Sequence, residues 1–236
     1  MLRPAEAFLL AALALPAAAH EPAAALDFVP PPVGSYRLPP IQGAPDGEVL
    51  DDRGRARRLA EFTTGRITVL GLVYTRCADA DACPRATWAF GELRRLLRAD
   101  PALQARVRLA TLSFDPVHDR PEVMAAFGAR SRGKAHGAEW SFVTARSPRT
   151  LAPILDAFGQ DLSVSSDSKA VPGTEEFTHT LKVFLIDAAG QVREIYSTAY
   201  LMPAMILNDI RTLDRERAYS AASATGTQLQ KRLRSP

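Results

Sequence analysis

The run ITVLGLVYT, residues 67–75, constrains the fold most. It is a continuous apolar, β-branched stretch with no polar alternation. A strand with one wet face alternates; this one suits a central strand buried on both faces. RVRLATLSFD, 106–115, reads as a second buried strand. Between them Pro84 opens a helical pattern, with Trp88, Phe90, Leu93, Leu96 and Leu97 recurring at helix spacing and Glu92, Arg94, Arg95 and Arg98 outward. Strand, helix and strand in that order imply a parallel crossover.

The remaining segments extend this pattern. DDRGR at 51–55 is a turn between two short strands. HDRPEVMAAFGA, 118–129, is a helix with Pro121 in its first turn, and WSFVTA, 140–145, is a short strand. SPRTLAPILDAFG, 147–159, is a helix capped by Ser147 and closed by Gly159. Residues 160–178 are polar and without period, so a loop is expected. LKVFLID, 181–187, and QVREIYST, 191–198, flank the turn AAG as a hairpin. MPAMILNDIRTLDRER, 202–217, is a closing amphipathic helix, and the tail from 218 to 236 is expected to be flexible. The sum is an α/β, three-layer sandwich with a mixed central sheet and an antiparallel edge. A thioredoxin-like fold has this order, with the folded domain over 46–217.

The N-terminus carries a separate message. MLRPAEAFLLAALALPAAAH has Arg3, an apolar run from Ala7 to Ala19, and a small-residue site at Ala17-x-Ala19. The run is too short to span a bilayer comfortably and suits a signal peptide over 1–19. The expectation is therefore an exported, periplasmic protein; an uncleaved anchor that holds it to the membrane is the alternative. No cysteine stands at the cleavage site, which argues against a lipoprotein. Residues 20–45 are rich in Pro and Ala and read as an extended leader, either a spacer or a strap over the domain. The net charge of +3 comes with no aromatic-interleaved basic stripe, so nucleic acid is not an expected partner.

Both cysteines, Cys77 and Cys83, lie in YTRCADADACP, directly after the first buried strand. In an oxidising compartment so close a pair is a structural bridge, a redox couple or part of a metal site. Pro84 at the first helical position makes Cys83 the N-cap, where free N–H groups and the helix dipole favour a thiolate. A thiolate is both nucleophile and metal ligand, so reactivity alone does not choose. On a continued helix six positions turn about 600°, so the sulfurs would diverge. The spacer must instead be a loop that folds Cys77 back. Asp79 and Asp81 within it should raise the thiol pKa values and attract cations; they are equally ordinary turn residues.

His179 precedes the hairpin, in EEFTHTLKVFLID. In a thioredoxin-like sheet that segment stands opposite the cysteine loop. Two thiolates and an imidazole suit Cu(I); by itself, a lone histidine before a strand is more often an ordinary loop residue than a ligand. His118 and His136 read as exposed loop residues. His20 would become the N-terminal residue after cleavage, where its amine and ring could chelate copper.

Several blocks resemble the SCO/SenC family: VLGLVYTRC and Cys83-Pro84, LSFDPVHDRPEVMAAFGA, W-SFVTA, and THTLKVFLIDAAGQVREIY, in that order. The resemblance spans roughly 45–215. It implies an exported thioredoxin-like metallochaperone that supports assembly of the copper centre of cytochrome c oxidase. Carried across position by position, it implies one copper ion, as Cu(I) or Cu(II), on Cys77, Cys83 and His179, with Asp115 as a support residue. The implied partners are a cytochrome c oxidase subunit or another copper protein, and a thiol-disulfide reductase. The chain departs from the family pattern in its longer C-x5-C spacing, with Ala78 in place of the first proline, and in Thr180, where a serine often follows the histidine. The alternative function is a thiol-disulfide oxidoreductase with Cys77 and Cys83 as its redox pair; a third is an inert disulfide. A peroxiredoxin would place a proline ahead of its reactive cysteine, which Thr75-Arg76-Cys77 lacks.

Overall fold

A computed structural model of the protein describes residues 29–77, 79–134, 136–164 and 177–234, with residues 163, 164, 177–179 and 220–234 described by their backbone alone. The expected signal segment and His20 lie outside the described residues. Among the described residues no helix is long and apolar enough to cross a membrane.

In chain order the elements are β1 (Gln42–Gly43), β2 (Glu48–Asp51), β3 (Ala56–Arg58), α1 (Ala60–Thr63), β4 (Ile67–Val73), α2 (Cys83–Leu97), α3 (Pro101–Arg106) and β5 (Val107–Ser113). Then come α4 (Pro121–Arg132), β6 (Glu139–Thr144), α5 (Pro148–Ala157), β7 (Leu162–Val164), β8 (Phe177–His179), β9 (Val183–Ile186), β10 (Gln191–Tyr196) and α6 (Pro203–Arg234). The main sheet has the order β1-β10-β9-β4-β5-β6-β2-β3. Its β4–β5 and β5–β6 pairs are parallel and the rest antiparallel. Every residue of β4 and β5 is buried, as a doubly covered strand requires.

Alternate β4 residues show the two covering layers. Gly71 faces α2, where a Cβ would stand 3.1 Å from the Phe90 ring. Thr68, of opposite parity, donates its hydroxyl to the Phe62 carbonyl of α1 at 3.0 Å. Helix α2 packs against α4 and α6 on the first face. Leu70 pairs with Phe184, which carries the second face into β9, and there Phe158 at the end of α5 stacks on Phe184 at 4.6 Å.

The structure differs from the sequence reading in detail. Helix α2 begins at Cys83, with Ala82 as its N-cap and Pro84 in its first turn, so Cys83 is one step inside the helix. The expected loop over 160–178 contributes β7 and β8, an antiparallel pair in which Leu162 faces His179. Helix α3 was not foreseen; Asp100 caps it by accepting the Leu103 N–H at 2.9 Å, ahead of Pro101. Helix α6 runs past 217 to Arg234, through a stretch with no proline before 236. The leader is a strap over residues 29–45: Gln42 and Gly43 pair with β10, and Gly34 N–H donates to Thr212 of α6 at 3.1 Å.

Candidate metal centre

Strand register builds the site. Strands β4 and β5 are parallel and Val73 pairs with Ser113, so Tyr74–Cys77 and Phe114–His118 leave the sheet side by side. Phe114 N–H still donates to the Val73 carbonyl at 3.0 Å, and the Tyr74 and Phe114 rings meet at 5.1 Å. Strand β9 runs antiparallel to β4 with Val183 opposite Gly71. The chain leading into β9, residues 180–182, therefore approaches from the same end. That end is the carboxyl edge of the parallel strands, where open α/β sheets place their ligand sites.

Both cysteines are free; Cys83 is buried and Cys77 half-buried. Their side chains hydrogen-bond to each other. The folded-back spacer thus brings together the sulfurs that a continuous helix would separate. Burial pushes the Cys83 thiol far up; the charge and hydrogen bond of Cys77 push the same way, while backbone hydrogen bonds at Tyr74 and at Cys83 itself act against them. The expectation that the helix end makes Cys83 a ready thiolate is corrected: desolvation outweighs the helix end, and the metal-free site holds Cys83 as a thiol.

The acidic spacer is folded on itself. Asp81 N–H donates to the Asp79 carboxylate at 3.0 Å, and Ala82 N–H to the Asp79 carbonyl at 3.1 Å. The Asp81 carboxylate pairs with Arg85 at 3.2 Å. The Cys77 thiol lies 3.8 Å from the Asp79 carbonyl oxygen. These contacts are turn chemistry, and none of them brings a spacer carboxylate to a sulfur.

Two buried carboxylates hold the root of this loop. Asp119, fully buried, accepts from Thr75 N–H at 2.9 Å and from the hydroxyls of Thr75 and Ser113. Asp115, 2% exposed, accepts from Arg76 Nη2 at 2.9 Å. The Nδ1 atom of His118 lies 3.0 Å from Asp115 and 2.8 Å from Arg76. Asp115 is thus tied to Arg76, the residue before Cys77. His118 is half-buried in this cluster, contrary to the expected exposed loop residue, because a helical turn closes on Asp115 and folds the ring back over it; Asp119 N–H donates to the Asp115 carbonyl at 2.8 Å. His136 is exposed as expected. Arg76, His118 and Asp119 were not singled out from sequence; Asp119 had a signal, as the second aspartate of the DPVHD block.

His179 is described by its backbone, as the last residue of β8 opposite Leu162. Among the described residues no three His, Cys, Asp or Glu side chains gather as a metal site, and the His179 ring is not among those described. The described donor set is the cysteine pair: two free thiols that hydrogen-bond to each other, one of them sheltered from water. That set fits a soft ion such as Cu(I).

The family model for SCO1/SenC matches residues 44–214. The chain belongs to the SCO1/SenC family. Solved structures of SCO proteins share its thioredoxin-like fold. Apo Sco1 from Thermus thermophilus aligns with a TM-score of 0.58 at 24% identity, over 79% of this chain and 96% of that one. ScoI from Bradyrhizobium japonicum, solved with copper bound, gives 0.56 at 18%, over 74% and 98%. Yeast Sco1 with copper bound gives 0.57 at 15%, over 72% and 90%. No curated protein matches the chain.

Proposed function

We propose that this SCO1/SenC protein carries one copper ion on Cys77, Cys83 and His179 and delivers it to a copper protein, in the first instance the copper-bearing subunit of cytochrome c oxidase. The observation that carries the reading is the pair of free, mutually hydrogen-bonded cysteines at the carboxyl end of β4. Copper-bound relatives in the same family support it. Residues 1–19 act as a cleaved export signal, and the domain works outside the cytoplasm.

Reduced thiols are the form that takes up metal, and uptake releases their protons. Cys77, half-exposed, is the entry ligand; Cys83 and the His179 ring complete the set. Release proceeds by ligand exchange with thiolates or imidazoles of the acceptor. Oxidation to a Cys77–Cys83 disulfide removes both sulfurs from the donor set, so a thiol-disulfide reductase is required to restore loading.

The test is a Cu(I) titration of the reduced protein against a competing chelator, alongside Cys77→Ser, Cys83→Ser and His179→Ala. Each variant is expected to lose affinity, the cysteine variants most. His179→Ala binding as tightly as wild type would contradict the three-ligand set.

One observation favours a second reading, a thiol-disulfide oxidoreductase: one cysteine is accessible and its bonded partner is buried, the arrangement of an attacking and a resolving thiol. Turnover on a disulfide substrate that survives His179→Ala selects it. No turnover, with a very low reduction potential, rules it out.

A further inference from the structure

Helix α2 has two apolar faces. The stripe Ala86, Ala89, Phe90, Leu93 and Leu97 is buried. A second stripe, Pro84, Trp88 and Gly91, runs at i, i+4 and i+7 and faces outward. The sequence pattern grouped Trp88 with the core face; the structure leaves it 44% exposed, whereas Trp140 is 3% exposed. With Phe127 of α4 this outer stripe lines a groove of about 620 Å³. Phe127 meets Phe142 edge-on at 5.8 Å and stays half-buried. Near the far end Arg94 Nη1 donates to the Arg132 carbonyl at 3.0 Å and ties the two helices together.

Gly91 gives the groove its depth. Glycine in a helix interior is costly next to alanine. Gly128 of α4 has a reason inside the fold: a Cβ there would stand 2.7 Å from the Phe142 ring. A Cβ on Gly91 would meet nothing within 4 Å. No contact within the described residues requires this glycine; what it provides is open space between Trp88 and Phe127. Beyond that space the surface is basic. The α2 stripe continues as Arg95 and Arg98, and the α4 side as Arg130. Arg95 pairs with Glu92 at 2.6 Å. Arg98 and Arg130 are exposed and make no ion pair with a described residue.

The position of the groove indicates its occupant. Pro84 follows Cys83, so the groove opens one residue from the cysteine pair and runs about 12 Å along α2 to Gly91. A protein that takes an ion from the cysteines must rest on this edge. A stable contact covers roughly 20–30 residues a side, more than the cysteine loop supplies, so the footprint reaches the first turns of α2. Two other grooves, lined mainly by the strap, β10 and α6, include no residue of α2 or the cysteine loop.

We infer that the α2–α4 groove is the docking surface for the copper acceptor. It takes a segment of that protein bearing an apolar side chain flanked by carboxylates. The side chain fills the space over Gly91, between Trp88 and Phe127, and the carboxylates meet Arg98 and Arg130. The inference rests on the copper-delivery reading above.

The experiment uses the reduced full-length protein and, as probe, the metal-free copper-bearing domain of cytochrome c oxidase. Cu(I) affinity by chelator competition, binding to the probe by calorimetry and the rate of copper transfer are measured for wild type, Trp88→Ala, Gly91→Leu and the double variant Arg98→Glu/Arg130→Glu. Wild type should bind the probe, less tightly as salt rises. All variants should keep wild-type Cu(I) affinity. Trp88→Ala and Gly91→Leu should weaken probe binding and slow transfer by about tenfold or more. Gly91→Leu should also raise the thermal midpoint, since leucine favours the helix over glycine; stability and docking then move in opposite directions, which a merely structural role would not produce. The double variant should weaken binding most at low salt. If wild type holds Cu(I) but Trp88→Ala and Gly91→Leu bind the probe and transfer as it does, the inference fails and the copper-binding reading stands. Wild type that holds Cu(I) yet does not bind the probe overturns the inference in the same way. Variants that lose Cu(I) affinity along with transfer also overturn it, because the groove then acts on the metal site. Wild type that holds no Cu(I) brings down reading and inference together. Should Trp88→Ala not fold, Gly91→Leu at its open position decides alone.

Discussion

The cysteine loop and the N-terminal strap are both irregular, and both hang on buried carboxylates, yet they are tied in opposite ways. The strap is fastened along its length. Asn208 Nδ2 donates to the Pro31 carbonyl at 3.0 Å, Arg215 to the Val33 carbonyl at 2.7 Å, and Thr212 accepts from Gly34. Tyr36 donates its hydroxyl to Asp209, and Ile41 and Ala44 bond the β10 hairpin at 2.8 and 2.7 Å. Among the described residues the cysteine loop is fastened at its root by Asp119 on Thr75 and Asp115 on Arg76, and at its far end by the hydrogen bond between Cys77 and Cys83. From Asp79 to Ala82 the hydrogen bonds and the ion pair among the described residues stay within the spacer and the first turn of α2. A strap needs only to stay. On the proposed copper role, the loop must let one cysteine move while the strand beneath it does not. The two buried aspartates set that boundary between Arg76 and Cys77.

The largest effect should come from cutting the root. Asp119→Ala leaves Thr75 N–H and the buried Ser113 hydroxyl without their acceptor. A cost of about 3 kcal/mol is expected from the unpaired buried groups, read as a lower midpoint in urea denaturation. The variant should also bind Cu(I) more weakly. An Asp119→Ala protein of wild-type stability would dissolve the distinction between root and spacer.

The strap latch should rank second. Asp209, 7% exposed, accepts from Tyr36 and from the buried Tyr196 hydroxyl at 2.7 Å. Asp209→Ala should cost about 2 kcal/mol by stranding Tyr196 and should speed proteolysis within 29–45, with Cu(I) affinity unchanged. The latch also has a pH signature. Burial raises the Asp209 pKa, and the hydrogen bonds from Tyr36 and Tyr196 only partly oppose it. A folded pKa above the unfolded one gives stability that is full below the unfolded value and is lost as pH rises through the folded value. The stability of wild type relative to Asp209→Asn should therefore decline as pH rises through the acid range. A relative stability that rises with pH would reverse the assignment.

Third is Gly159→Ala. Gly159 sits at a left-handed φ of 62°, so an alanine there should cost about 1 kcal/mol and loosen the hydrogen bond that Gln160 Nε2 donates to the Thr180 carbonyl at 3.1 Å. Thermal unfolding measures the first effect, and hydrogen exchange at 180–182 the second. The smallest effect belongs to the spacer. Asp81 is 78% exposed and paired with Arg85, so Asp81→Ala should shift stability by less than about 0.5 kcal/mol. A larger change in denaturant midpoint would mean that the spacer is tied as firmly as the strap.

These regions differed as much in how legible they were. The buried strands, the crossover helix and the hairpin follow from periodicity, because burial on two faces leaves a continuous apolar run. Ser147 and Gly159 announced their helix ends by residue type. Helix α3 is short and only Leu103 in it is buried, so it left no period to read. The β7–β8 pair sits in a polar stretch whose pairing depends on a distant partner. At the candidate site, the two cysteines stand out as residue types and through the family blocks, and the proposal of His179 comes from the same blocks. The Arg76–Asp115–His118 cluster does not, because it depends on which strand ends lie side by side. The thiolate expected at Cys83 failed for a similar reason: sequence shows a helix start but not the depth at which it is buried.

The central claim is that Cys77, Cys83 and His179 share one copper ion. X-ray absorption at the copper edge of the reduced, Cu(I)-loaded protein tests it most directly. The account predicts two sulfur scatterers and one imidazole nitrogen, with the imidazole signal absent in His179→Ala. A copper surrounded by sulfur alone, or an imidazole signal that persists in His179→Ala, would contradict it.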